Sequence, residues 1–211
     1  MKLQYLKLSL SVLTLLPAVS RGATILSENF DTLTPQLTVT SAGAFTAIGG
    51  TNVDIVGPSN GYGFLCAAPE SGNCLDMDGS NGNSQGQIES ASIILNPGTT
   101  YFLSFDLIGS GRGLTTSTTV SFGPFSQIFD LPSGDTTDGI VVNTPITVGS
   151  TTTTNLVFTS NTPGNVGAVL DDVLITSGTA STVPEPSGLM TLTGPVLLAA
   201  GVLIRRRSRV K

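Results

Sequence analysis

The sequence predicts an all-β protein, an antiparallel β-sandwich, on three observations. Gly, Thr, Ser, Asn and Val are abundant while only 11% of the 211 residues are charged, a composition that suits strands and turns rather than amphipathic helices. Short runs alternate apolar and polar residues and are separated by Gly, Pro and Asn. No window sustains an apolar period of 3.6, and no repeat of solenoid length is present. About 160 residues lie between the two chain ends, enough for one domain with a core of its own.

In order, the first strand is expected over Ala23 to Phe30 and a second around Leu37-Thr38-Val39-Thr40. Asn52 to Val56 is a third, stopped by Gly57-Pro58, and Ser59-Asn60-Gly61-Tyr62-Gly63 reads as a loop. Cys74 to Asp78 alternates, so Leu75 and Met77 share one face and Asp76 and Asp78 the other. Gln87 to Leu95 is a strand turned back by Asn96-Pro97-Gly98. Thr100 to Ile108 is the clearest strand, with Tyr101, Leu103, Phe105 and Leu107 on one side. Gly109 to Gly113 is a loop carrying Arg112. Thr118 to Phe122, Ser126 to Leu131, Ile140 to Val148, Thr153 to Thr159 and Gly167 to Thr176 complete the set.

The chain ends read differently. Lys2 and Lys7 precede an apolar run, Leu8 to Val19, that is too short to span a bilayer, and Ala18-Val19-Ser20 offers small residues for cleavage. Residues 1–23 therefore read as a secretory signal peptide, cut after Ser20 in preference to Ala23. At the other end, Ser187 to Ile204 is an uncharged stretch of 18 residues. As a helix it would reach about 27 Å, close to the ~30 Å hydrocarbon core. Pro195, Gly188, Gly194 and Gly201 weaken such a helix but are tolerated in a span. Arg205, Arg206, Arg207, Arg209 and Lys211 follow it, and such a cluster stays cytoplasmic. The chain before Pro184 is then expected to face away from the cytoplasm, with 178–183 as a linker to a body at 24–177.

Without its ends, the chain is strongly acidic. Residues 24–183 hold thirteen Asp and Glu against one cation, Arg112, a net of −12. That excludes nucleic acid as a partner, because phosphate must be met by cations. In an exported chain, Cys66 and Cys74, the two cysteines, are expected to form a disulfide.

The absence of His rules out Ser-His-Asp and Cys-His catalysis and His-rich metal sites. The body has no Lys for Schiff-base chemistry. Its carboxylates could make a glycosidase pair only formally, since no pair stands apart and there is no Trp. No enzyme is expected. Asp76-x-Asp78-Gly79-Ser80-Asn81 gathers oxygens suited to calcium, though Asn81 and Gln87 depart from the EF-hand pattern. The competing reading makes these carboxylates solvated turn formers. Arg112 either pairs with a carboxylate, Asp106 or Asp171, or reaches a ligand. Tyr62 and Phe64, in a glycine loop, either stack on a sugar or pack in the core.

The tail, with Pro184-Glu185-Pro186, the uncharged span 187–204 and the Arg-rich end 205–211, resembles the PEP-CTERM sorting signal. The resemblance implies recognition by an exosortase, a membrane-embedded cysteine transpeptidase. It also implies removal of the tail and delivery to the envelope or exterior of a Gram-negative bacterium, in association with exopolysaccharide. An ordinary single-span tail anchor is the alternative. In the body, Leu75 to Gly79, Pro97 to Asp106 and Leu170 to Val173 together resemble the galactose-binding-like jelly roll. That resemblance implies carbohydrate binding and a structural calcium near the sheet ends, where Glu28 and Asp172 could join Asp76 and Asp78. Two readings follow: a non-catalytic matrix protein, or a calcium-assisted carbohydrate-binding module.

Overall fold

A computed structural model describes residues 22–66, 72–81 and 85–179. The expected signal peptide up to Arg21, the Pro184-Glu185-Pro186 motif, the span 187–204 and the basic tail lie outside the described residues, whereas Ala23, placed at the end of that peptide by the sequence, belongs to the first strand. Among the described residues, no helix is long and apolar enough to cross a membrane.

Fifteen strands form among these residues: β1 (Ala23–Glu28), β2 (Gln36–Val39), β3 (Ser41–Ala42), β4 (Phe45–Ala47), β5 (Val53–Val56), β6 (Cys74–Asp76), β7 (Gln87–Ser90), β8 (Ile93–Leu95), β9 (Thr99–Ile108), β10 (Thr116–Phe122), β11 (Phe125–Leu131), β12 (Ile140–Ile146), β13 (Thr152–Thr154), β14 (Val157–Ser160) and β15 (Val169–Thr179). One antiparallel sheet runs β12-β9-β15-β6-β5-β2, with β1 also on β15. The other runs β11-β10-β14-β7-β4-β3, and β13 with β8 makes a short ribbon. From β6 onward the chain crosses repeatedly between the two sheets, which hold β6, β9, β12 and β15 on one side and β7, β10, β11 and β14 on the other.

The expected β-sandwich is thus present, and its alternation is visible in β9. Tyr101, Leu103, Phe105 and Leu107 are buried between the sheets, while Phe102, Ser104 and Asp106 are only half-buried on the far side. Across the core, Phe158 of β14 meets Phe105 edge-on at 5.3 Å and Phe45 of β4 at 5.9 Å. Such pairs add roughly 0.5–1.5 kcal/mol beyond burial. A second, smaller apolar cluster lies apart from this core and unites Val56, Leu65, Cys66, Cys74, Ile108 and Val169.

Two expected strands are each broken in two. Gln87–Leu95 divides into β7 and β8, and Thr153–Thr159 into β13 and β14. The breaks coincide, because the Ser90 hydroxyl accepts the Leu156 N–H at 3.0 Å in place of a ladder carbonyl, while the Ser90 N–H donates to the Leu156 carbonyl at 2.9 Å. β3 and β4 were not expected, being too short to show alternation. The 58–65 loop forms two 3-10 turns, Pro58–Asn60 and Gly63–Leu65.

Candidate functional site

The smaller cluster borders a polar pocket of about 160 Å³. Its walls come from β5 and β6, which pair so that Asp54 stands directly opposite Asp76. Val53, Ile55 and Leu75 point into the main core, so alternation sends the two carboxylates to the other face. Both are buried, Asp54 at 3% exposure and Asp76 at 2%. Opposed like charges destabilise a strand pair, and each of these is compensated. Asp54 accepts the Thr38 N–H at 2.6 Å, the Ser80 N–H at 3.1 Å and the Ser80 hydroxyl. Asp76 accepts the Asp78 N–H at 3.3 Å and an Arg112 N–H at 2.7 Å.

Arg112 reaches the pocket from the β9–β10 loop, where Gly113 takes φ +87°. Its guanidinium donates to the Ser110 hydroxyl at 2.9 Å, the Asn165 carbonyl at 2.9 Å and Asp76. That engages three of its five N–H donors and leaves two. Burial pushes the Asp76 carboxyl up to about 7, against the opposing pull of Arg112. Asp54 and Asp78 add smaller repulsions in the same upward direction. A carboxyl that titrates near neutrality inside a pocket is a marker of a functional site as well as of a structural ion pair.

Tyr62 also lines this pocket. It is 41% exposed, and Phe64, at 73%, lies with its ring centroid 6.3 Å from that of Tyr62. The two expected ligand contacts, Tyr62 and Arg112, therefore meet at one place, and the pair of loop aromatics is on the surface rather than in the core. The segment that carries them ends at Cys66, which is disulfide-bonded to Cys74 at the start of β6 with a Cα–Cα distance of 5.7 Å. The expected disulfide is present.

Two expectations differ from the structure, and one residue was not anticipated. Arg112 pairs with Asp76, a partner that the sequence did not suggest. Asp106 of β9 and Asp171 of β15, the partners expected for it, stand opposite each other in the register of those strands. The four calcium candidates are not brought together. Asp78 leaves the Asp76 side as β6 ends, accepting the Gly86 N–H at 2.8 Å and the Ser160 hydroxyl at 3.1 Å. Glu28 accepts the Phe30 N–H at 2.9 Å and the Ala44 N–H at 2.8 Å. Asp172 sits at a bulge of β15 with φ 48° and lines, with Glu28 and Asp106, a separate groove of about 560 Å³. Burial first, and then the charge of Asp172, raises the Asp106 carboxyl above its ordinary value. Among the described residues, no three His, Cys, Asp or Glu side chains are placed to hold a metal ion. Third, Asp54 was missed. A lone acid inside the apolar run Val53 to Val56 was the available signal, since a buried carboxylate must be held by donors.

The chain matches no known protein family and no curated protein in sequence. Solved structures give distant likenesses. An arabinose-bound α-L-arabinofuranosidase aligns at 12% identity with a TM-score of 0.49, over 74% of this chain and 26% of that one. The K3 cleaved adhesin domain of Lys-gingipain from Porphyromonas gingivalis aligns at 15% and 0.42, over 75% and 100%. The tandem CBM22 domain of Paenibacillus barcinonensis Xyn10C aligns at 15% and 0.42, over 82% and 49%. The chain thus spans about a quarter of the arabinofuranosidase. At these values the likenesses carry nothing about function, and the fold stands on the chain's own two sheets.

Proposed function

We propose that this is an exported, non-catalytic protein of the cell envelope or extracellular matrix, processed by an exosortase and associated with exopolysaccharide. The observation that carries the reading is the ordered tail: Pro184-Glu185-Pro186, an uncharged span and a basic end. The Cys66–Cys74 bond supports an oxidising destination. The winding supports a jelly roll, because the orders β6-β15-β9-β12 and β7-β14-β10-β11 are those of two interleaved Greek keys. A structural use of acidic side chains supports a matrix role, since Glu28 accepts two backbone N–H groups, those of Phe30 and Ala44. In hosts with and without the transpeptidase, the exported protein is expected to lose its C-terminal segment only in the first. Intact mass measures this, and an unprocessed tail in both hosts would remove the exosortase from the account.

A second reading, a carbohydrate-binding module, is favoured by one specific observation. Tyr62, Arg112, Asp54 and Asp76 line a single pocket. A sugar ring has an apolar C–H face, which an aromatic ring can cover, and a rim of hydroxyls that fixed acceptors and donors can bind.

A further inference from the structure

We propose that the pocket between β5, β6 and the Arg112 loop binds a single, uncharged sugar unit at the end of a glycan chain and rejects acidic sugars. This rests on the carbohydrate reading and names the ligand class and the residues that set it.

Size argues for one ring. The pocket is about 160 Å³, well below the ~300 Å³ at which drug-sized sites begin. Two larger depressions on the molecule are open grooves. One carries the Glu28, Asp106 and Asp172 carboxylates. The other runs along β1 and β8, past Ile25 and Ile94, and is mainly apolar. Neither combines an aromatic, a guanidinium and buried carboxylates. The polar pocket does, with Leu37, Val56 and Leu65 as further, apolar parts of its lining.

Charge argues against an acid. Asp54 and Asp76 form adjoining parts of the wall. Arg112 is the one Lys or Arg in residues 24–183, and above about pH 7, where Asp76 is ionised, their ion pair neutralises it. A uronate carboxylate would lie beside two buried carboxyls with no unpaired cation to meet it, inside a body of net charge −12. Neutral hydroxyls meet no such penalty. They can donate to Asp54, whose acceptor capacity exceeds the three bonds it receives, and accept from the two remaining Arg112 donors. Tyr62 supplies the apolar contact at the mouth, and Phe64 extends it outward.

The test, run at pH 8 where Asp76 is ionised, is binding of full-length protein to methyl glycosides of neutral hexoses, to the matching oligosaccharides and to the matching uronates, by calorimetry and saturation-transfer NMR. A neutral monosaccharide is expected to bind within about threefold of its oligosaccharide, because only one ring is held, and the uronate to bind at least ~10-fold more weakly. Tyr62→Ala is expected to weaken binding roughly tenfold. Tyr62 is surface-exposed, so this variant keeps its fold even if Asp54→Asn does not. Ile128→Ser, on the other sheet, is expected to bind as wild type. Oligosaccharide binding without monosaccharide binding overturns the single-ring site but leaves the carbohydrate reading. Equal binding of the uronate overturns the charge selection alone. Binding unaffected by Tyr62→Ala moves the site elsewhere. Failure of every sugar to bind overturns both this inference and the carbohydrate reading on which it rests.

Discussion

Asp76 carries its proton to about pH 7 because burial outweighs the attraction of Arg112. An unfolded Asp releases it near 3.8. Between those values the folded chain binds a proton that the unfolded chain does not, so stability falls as pH rises. The contribution is full below about pH 4, is lost through about pH 7, and amounts to a few kcal/mol at most at ~1.36 kcal/mol per unit. Asp78 and Asp106, both raised by burial, act in the same direction. Asp135 is held low by the Thr137 and Asp138 N–H groups and acts oppositely. The protein is expected to resist urea better at pH 5 than at pH 8, and Asp76→Asn is expected to reduce that difference. An unchanged difference would show that Asp76 is not the group responsible. In the main core, Phe158→Ala removes both edge-on ring contacts at once. It is expected to cost about 3–5 kcal/mol, measurable as a lower urea midpoint with the slope unchanged.

At the scale of elements, the disulfide and the two 3-10 turns behave as one unit. Cys66 and Cys74 are eight residues apart, and closing so short a ring is worth ~2–3 kcal/mol in the chain-entropy account. The double variant Cys66→Ser/Cys74→Ser is expected to lose about that much stability and to raise amide exchange in Gly57–Leu65 more than in β9. Uniform acceleration would mean that the bond braces the whole sandwich instead. Longer strands were legible in the sequence because period-2 alternation is repeated several times in them, as in β9 and β10. β3 and β4 were illegible because two or three residues carry no period. The break at Ser90 was illegible because it depends on a hydroxyl from one strand replacing a carbonyl for another. Tyr62 and Arg112 were readable as candidates from their glycine-rich loops. Their meeting was not, since it depends on how β5, β6 and the β9–β10 loop lie in space. Asp76 and Asp78 looked equivalent by alternation, yet the strand ends between them and they serve different neighbours.

At the scale of the molecule, the body places an acidic surface around a core fed by both sheets. Its single cation is tied to the larger sheet, so the long-range field is negative and discourages association with other acidic chains. Weak self-association, checked by sedimentation at low and high salt, is expected to rise with salt as screening shortens that repulsion.

The first and last strands of the body lie side by side, with Ala23 opposite Ser177. β15 is held along its other edge by β9, from Val169 to Thr179. A pull applied at the C-terminal end and resisted elsewhere in the body runs along the strand axis. It loads those ladders in shear, where many bonds share the force, rather than peeling them open one at a time. A chain held at Thr179 is therefore held by a strand seated between two neighbours, β1 and β9, so that a load there is spread over both ladders.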